Sequence, residues 1–360
     1  MPTLSGAVQC PEQTGEPEFV YFADAVTQKK LWLFSPEGGL LHTVPLNEAL
    51  DSLGRIGGLS FMGPDTIILS SVYSNRIGIM DLEGHCSKVM DLTAQLTRPD
   101  RLAYELWQSF TTPFMIGGTA CFEVRLVAES TDGYEGRDAP QRPGVYRYEW
   151  LARNGPHFAA FDLRRTNVEP ILRWGPQEPS IDTIDEIPAP AGVGSYACVN
   201  ERWFHFSAYS SVVSVLDLAT MQPIRQFEVS SEIGPTLQAP IIIPKNSDFY
   251  LQDSLDDRLS SGGHIMSIRY DIPTGHYLVI VIHHASRSAA EQTHPADADF
   301  SVFEFDSAYT LVSERVFTDG EHYLPAMLSL SSGTYTARVQ SKRDWMRGMP
   351  TFDRIILHGR

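Results

Sequence analysis

The sequence predicts an all-β protein, a β-propeller built from a repeated four-stranded unit, and three observations carry the prediction. First, one hairpin-like pattern recurs along the chain. Val212–Val229 reads VVSVLDLATMQPIRQFEV, and related runs occupy Leu31–Leu46, Ile77–Leu92, Phe158–Trp174 and Phe300–Phe317. Second, 56–92 and 192–229 each break into four strand-like pieces and align without a gap. Gly58 falls on Gly194, Ser71 on Ser207, Tyr73 on Tyr209 and Asp81 on Asp217. Third, helical periodicity is confined to Asn47–Leu53 and Arg98–Gln108. Alternation with period two bounded by turn residues marks half-buried strands. Four antiparallel strands recurring as a unit is the pattern of a propeller blade. Six blades are the first expectation and seven the alternative, with the N-terminal strand closing the ring and so removing exposed sheet edges.

Each element follows in order. Residues 1–17 are rich in Pro, Glu and Gly and read as a loose arm, and residues 18–360 read as a single propeller domain. The first strand starts at Phe19, ahead of the Leu31 hairpin. The pieces GGLSF, TIILSS, RIGIM and CSKVMD form the second blade, and GVGSYACV, WFHFSA, VVSVLD and PIRQFEV the fourth. Ser35, Asp81, Asp162, Asp217 and Glu304 occupy the anchor place where the third strand of each unit enters its turn. Asp271, in MSIRYDIPTGHYLVIVI, competes for that role. The interval from Asp271 to Glu304 is too short for four strands of usual length plus their turns. Residues 264–284 are therefore the first two strands of a blade, 300–317 its last two, and 239–252 an extra hairpin. The tail supplies three strands, PAMLSL, TYTARV and FDRIIL.

Composition bounds the function. The chain has 360 residues, 28 Lys and Arg against 44 Asp and Glu, and a net charge of −16. That excess of acid argues against nucleic-acid binding, which needs a cationic face. No run approaches the roughly 18 apolar residues of a membrane span. Cys10, Cys86, Cys121 and Cys198 form no CxxC and suggest neither a zinc site nor a disulfide framework. The first residues lack the basic and apolar regions of a secretory leader, so the chain as written reads as cytoplasmic, and as extracytoplasmic if a leader was removed. A monomer is expected.

The blade residues IGGLSF…TIILSS…RIGIMD at 56–81, SYACVNERWFHFSAYSSVVSVLDLATMQPI, and IRYDIPTGHYLVIVI resemble six-bladed TolB-like or NHL-like propellers. Within these they look closest to uncharacterised bacterial propellers that are often exported lipoproteins. The resemblance covers most of residues 18–358. It implies a fold and supplies no catalytic residues. The GH…WD pairs of WD40 blades and the glycine doublets of Kelch repeats are missing.

Candidate functional residues come from the loops. In a propeller the connection between the second and third strands lies on the same face as the connection between blades. The repeat places Tyr73, Ser74 and Asn75 in one such turn and Tyr209, Ser210 and Ser211 in its counterpart. The same turn grows to Glu129–Pro156 in the third blade and to His284–Asp299 in the fifth. Long loops on a rigid scaffold are where function usually resides. In the first insertion, Asp132, Tyr134, Glu135 and Arg137 are candidate binding residues. Its Asp/Gly run does not fit the EF-hand spacing. In the second, His284, His294 and Asp297 are candidates. Alternation puts His284 on the face of Leu278 and Ile282 and His283 on the other, and no HxH or HExxH spacing marks a metal site. The expectation is a non-catalytic propeller that recognises a protein, peptide or glycan through this face, with no catalytic residues, metal ligands or cofactor. The alternative is a calcium-dependent hydrolase or lactonase.

Overall fold

A computed structural model describes residues 4–8, 18–71, 74–94, 96, 104–106, 114–116, 119–126, 158–161, 171–173, 186–189, 194–200, 202–207, 211–217, 222–230, 241–244, 264–283, 300–317, 322–338 and 351–355. The chain divides into two compact units. One comprises Met1–Ala139 and Asn154–Gly175, the other Pro140–Arg153 and Pro176–Arg360.

The first unit begins with β1 (Leu4–Val8), β2 (Phe19–Asp24), β3 (Lys30–Phe34) and β4 (Leu40–Pro45), an antiparallel meander in chain order. Part of the expected loose arm is thus a strand. Leu4–Val8 pairs with Phe19–Ala23 and so completes the first sheet. A helix follows, α1 (Asn47–Leu53), as its spacing predicts, with Ala49 and Leu53 buried. Next comes a second meander, β5 (Ile56–Phe61), β6 (Thr66–Ser71), β7 (Arg76–Asp81) and β8 (Cys86–Asp91). Gly78 in β7 is small because α1 packs over it: a Cβ there would lie 3.1 Å from Leu53 Cδ1. The third sheet holds β9 (Tyr104–Leu106), β10 (Phe114–Ile116), β11 (Thr119–Leu126), β12 (Phe158–Phe161) and β13 (Ile171–Arg173). Here β9 corrects the helix expected over Arg98–Gln108. It pairs with Val124–Leu126, so the sheet edge overrides a helical period.

In the second unit β14 (Glu186–Ala189) comes first. A meander of β15 (Gly194–Val199), β16 (Arg202–Ser207), β17 (Val212–Leu216) and β18 (Pro223–Glu228) follows. β19 (Ile241–Pro244) pairs with β14, so the described part of 239–252 joins a strand before the meander. Then β20 (His264–Asp271), β21 (His276–Ile282), β22 (Phe300–Phe305) and β23 (Leu311–Phe317) form one sheet. Asp271 ends a first strand and β21 pairs with β22, as the spacing argument required. The tail sheet has three strands, β24 (His322–Leu330), β25 (Gly333–Arg338) and β26 (Thr351–Arg354).

The repeat seen in sequence is also a repeat of hydrogen bonds. Each of the four complete meanders carries a register shift where its third strand meets its fourth, between Leu33 and Phe34, Ile79 and Met80, Val215 and Leu216, and Glu304 and Phe305. Such bulges increase local twist. Immediately after the bulge, the N–H groups of Ser35, Asp81, Asp217 and Asp306 donate across the turn to Gly39, His85, Gln222 and Thr310. The carboxylates of Asp81 and Asp306 also accept turn N–H groups, from His85 at 2.8 Å and from Ala308 and Thr310 at 2.8 Å. Aspartate suits this place because its short side chain caps its own turn. The anchor of the 300–317 unit is therefore Asp306, which corrects Glu304: Glu304 lies earlier, inside β22.

First strands of successive sheets lie side by side. In the first unit β5 contacts β1 and β10, and in the second β20 contacts β15 and β24. Apolar side chains fill the space between sheets. Phe19, Tyr21, Leu59, Phe61 and Leu69 belong to one buried cluster and Phe204, Phe206, Val279, Phe303 and Phe305 to another. Among the described residues no helix is long and apolar enough to cross a membrane.

Candidate functional site

In three meanders the end that carries the turn between second and third strands is held in one recurring way. The residue after the fourth strand donates its N–H to the carbonyl just before the third: Leu46 to Lys29 at 2.9 Å, Leu92 to Asn75 at 2.7 Å and Val229 to Ser211 at 2.8 Å. This closes the fourth strand onto the turn and fixes the base of any loop mounted there. In the first sheet Asp24, buried at the end of β2, accepts the N–H groups of Val26 and Thr27 at 3.1 and 2.7 Å. In the second, Ser71 donates its hydroxyl to the Leu53 carbonyl at 2.9 Å and caps the C-terminus of α1.

Of the candidate binding residues, Asn75 is described, half-buried at the mouth of its turn with its carbonyl accepting from Leu92. Tyr73, Tyr209, Asp132, Tyr134, Glu135, Arg137, His284, His294 and Asp297 lie outside the described residues, as do Cys10 and Asp162. The stem of the second insertion is described up to His283. That ring is buried and its Nε2 lies 2.7 Å from Ser301 Oγ on β22. Val281, in register with Ser301, packs toward the β15–β18 sheet, whereas Leu278 and Ile282 pack toward the tail sheet. His283 thus takes the face opposite Leu278 and Ile282, as alternation predicts. Its hydrogen bond ties the last described residue before the connection to the second residue of the returning strand.

The opposite end of the β20–β23 sheet holds a denser set of polar and aromatic groups, of which the sequence marks Asp271 and Glu304 only as turn anchors. Glu304, in register with Leu278, is buried on the tail-sheet side of β22. One of its oxygens lies 2.7 Å from His276 Nδ1, and the other accepts from Ser313 Oγ at 2.5 Å. Asp271 faces His276 across the β20–β21 pair. It accepts from Thr274 Oγ1 at 2.8 Å and, across to the tail sheet, from Thr334 Oγ1 at 3.0 Å. His276 is the member of its pair with access to solvent, 26% exposed against 9% for Glu304. Both carboxylates have partners for both oxygens: Glu304 joins strands of its own sheet, and Asp271 fastens that sheet to the tail sheet. A carboxylate in FSVFEF and a histidine just before Leu278 both fall on an apolar face by alternation, and that is the signal that would have found the pair.

On the other face of the same sheet, Tyr309 leaves its turn with φ 60°. It stacks on Phe227 at 5.2 Å and on Tyr277 at 5.4 Å, with the Arg225 guanidinium 5.3 Å from its ring centre. Burial, together with the charge of Tyr277, pushes its phenol above the usual tyrosine value. Among the described residues no three His, Cys, Asp or Glu side chains are grouped as metal ligands would be.

No family model matches the chain, and no curated protein matches its sequence. Solved structures do. A member of the DUF4221 family from Bacteroides vulgatus superposes over 100% of this chain and 94% of its own with a TM-score of 0.70, at 14% sequence identity. Fainter likenesses include virginiamycin B lyase from Staphylococcus aureus (TM-score 0.41, 8% identity, 99% of this chain and 85% of that one). Another is the β-propeller domain of Swd1 from Myceliophteria thermophila (TM-score 0.40, 9% identity, 94% of each). At 14% identity the likeness to the DUF4221 structure speaks to fold alone. Antiparallel meanders whose first strands adjoin are the blades of a β-propeller, and that is the fold class of this chain.

Proposed function

We propose that the chain is a six-bladed propeller that binds a protein, peptide or glycan and performs no reaction. The ligand meets the face bearing the insertions at 129–156 and 284–299. One observation carries this reading: the same backbone closure, Lys29 to Leu46, Asn75 to Leu92 and Ser211 to Val229, pins the base of this face in three meanders. A rigid rim of that kind supports long loops without letting them disturb the blades. The expected contact residues are Tyr73, Asn75 and Tyr209 on the short turns. Asp132, Tyr134, Glu135 and Arg137 would act on the first insertion, and His284, His294 and Asp297 on the second. Tyrosines offer large contact area at small entropic cost. The net charge of −16 favours ligands with a basic or neutral surface over nucleic acid.

The test screens the intact chain on glycan and peptide arrays, then repeats the screen with each insertion replaced by a short Gly/Ser turn. Loss of a hit in one replacement variant, with thermal stability kept, supports the reading. Hits that survive both replacements overturn it. So does a large rise in melting temperature on adding calcium that EDTA reverses, because a cation specific to the folded state stabilises it and points to the metal-dependent enzyme.

A further inference from the structure

We draw no further inference here: the strongest candidate, the buried His283–Ser301 pair at the base of the β21–β22 connection, carries nothing, because Ser301 is fully buried within the sheet packing and nothing among the described residues shows a ligand or an opening that reaches its hydroxyl.

Discussion

The hydrogen bond from Thr334 to Asp271 joins the β20–β23 sheet to the tail sheet across a long separation in sequence. It lends itself to a double-mutant cycle. In Asp271→Ala, the Thr334 hydroxyl, in a residue 0% exposed, is left without its acceptor, and Thr274 loses its carboxylate partner. Hydrogen bonds to charged groups contribute about 1.5–3 kcal/mol, and an orphaned buried donor costs about 1–3 kcal/mol. The single variant should therefore lose about 2–3 kcal/mol. Thr334→Val keeps the shape but removes the donor, leaving Asp271 with one partner fewer, and should lose about 1.5 kcal/mol. In the double variant the second change has no bond left to break, so its total should match Asp271→Ala within about 0.5 kcal/mol. Urea unfolding followed by tryptophan fluorescence, with a shared slope for the four proteins, reads these values. A coupling of about 1–2 kcal/mol is expected. Strict additivity would refute the bond, and with it the claim that the tail sheet is fastened to its neighbour at this point.

Three further outcomes are expected. Phe204→Ala removes a fully buried ring that packs edge-on against Tyr277 of the next sheet at 5.1 Å, and should cost about 3–5 kcal/mol in the same assay. Gly84→Ala forces a side chain onto a φ of 90° and sets its Cβ 2.5 Å from the Pro45 carbonyl oxygen at the end of β4, so a loss of at least about 1–3 kcal/mol is expected; an unchanged melting temperature would contradict that turn geometry. The Tyr309 phenol is harder to ionise in the folded protein than the ordinary value of 10.0, so the unfolded chain releases its proton first. Its contribution is therefore fully present below pH 10 and lost as pH rises beyond it. Tyr309→Phe should flatten the alkaline fall in stability, measured by unfolding at stepped pH, and an unaltered slope would count against the buried phenol.

The framework was legible because its physics is local. Alternation in TIILSS and RIGIM repeats from unit to unit, as does the Asp that enters the turn at Asp81 and Asp217. Neighbouring residues suffice to show such features. What was missed depends on long-range pairing. Tyr104–Leu106 looked helical because its period is read alone, yet the edge of β11 decides its state. Leu4–Val8 looked like a loose arm because its partner strand begins only at Phe19, beyond a stretch rich in Pro and Glu. Glu304 and Asp306 are both acids at the end of FSVFEFD, and only the turn hydrogen bonds made by Asp306 show which of them is the anchor. The candidate site was legible only as a face. The gapless alignment of 56–92 with 192–229 placed Asn75 and Ser211 in equivalent turns, and both carbonyls accept the same closing hydrogen bond. The pairing of His276 with Glu304 and of Asp271 with Thr334 is not legible in the sequence because the partners come from separate strands.

We propose six blades with the insertions at 129–156 and 284–299 on one face, and a crystal structure that includes both insertions is the direct test. Six blades are expected, with each connection leaving from the end of its own sheet that corresponds to the Lys29, Asn75 and Ser211 closures. Seven blades, or insertions emerging at opposite ends, would contradict it.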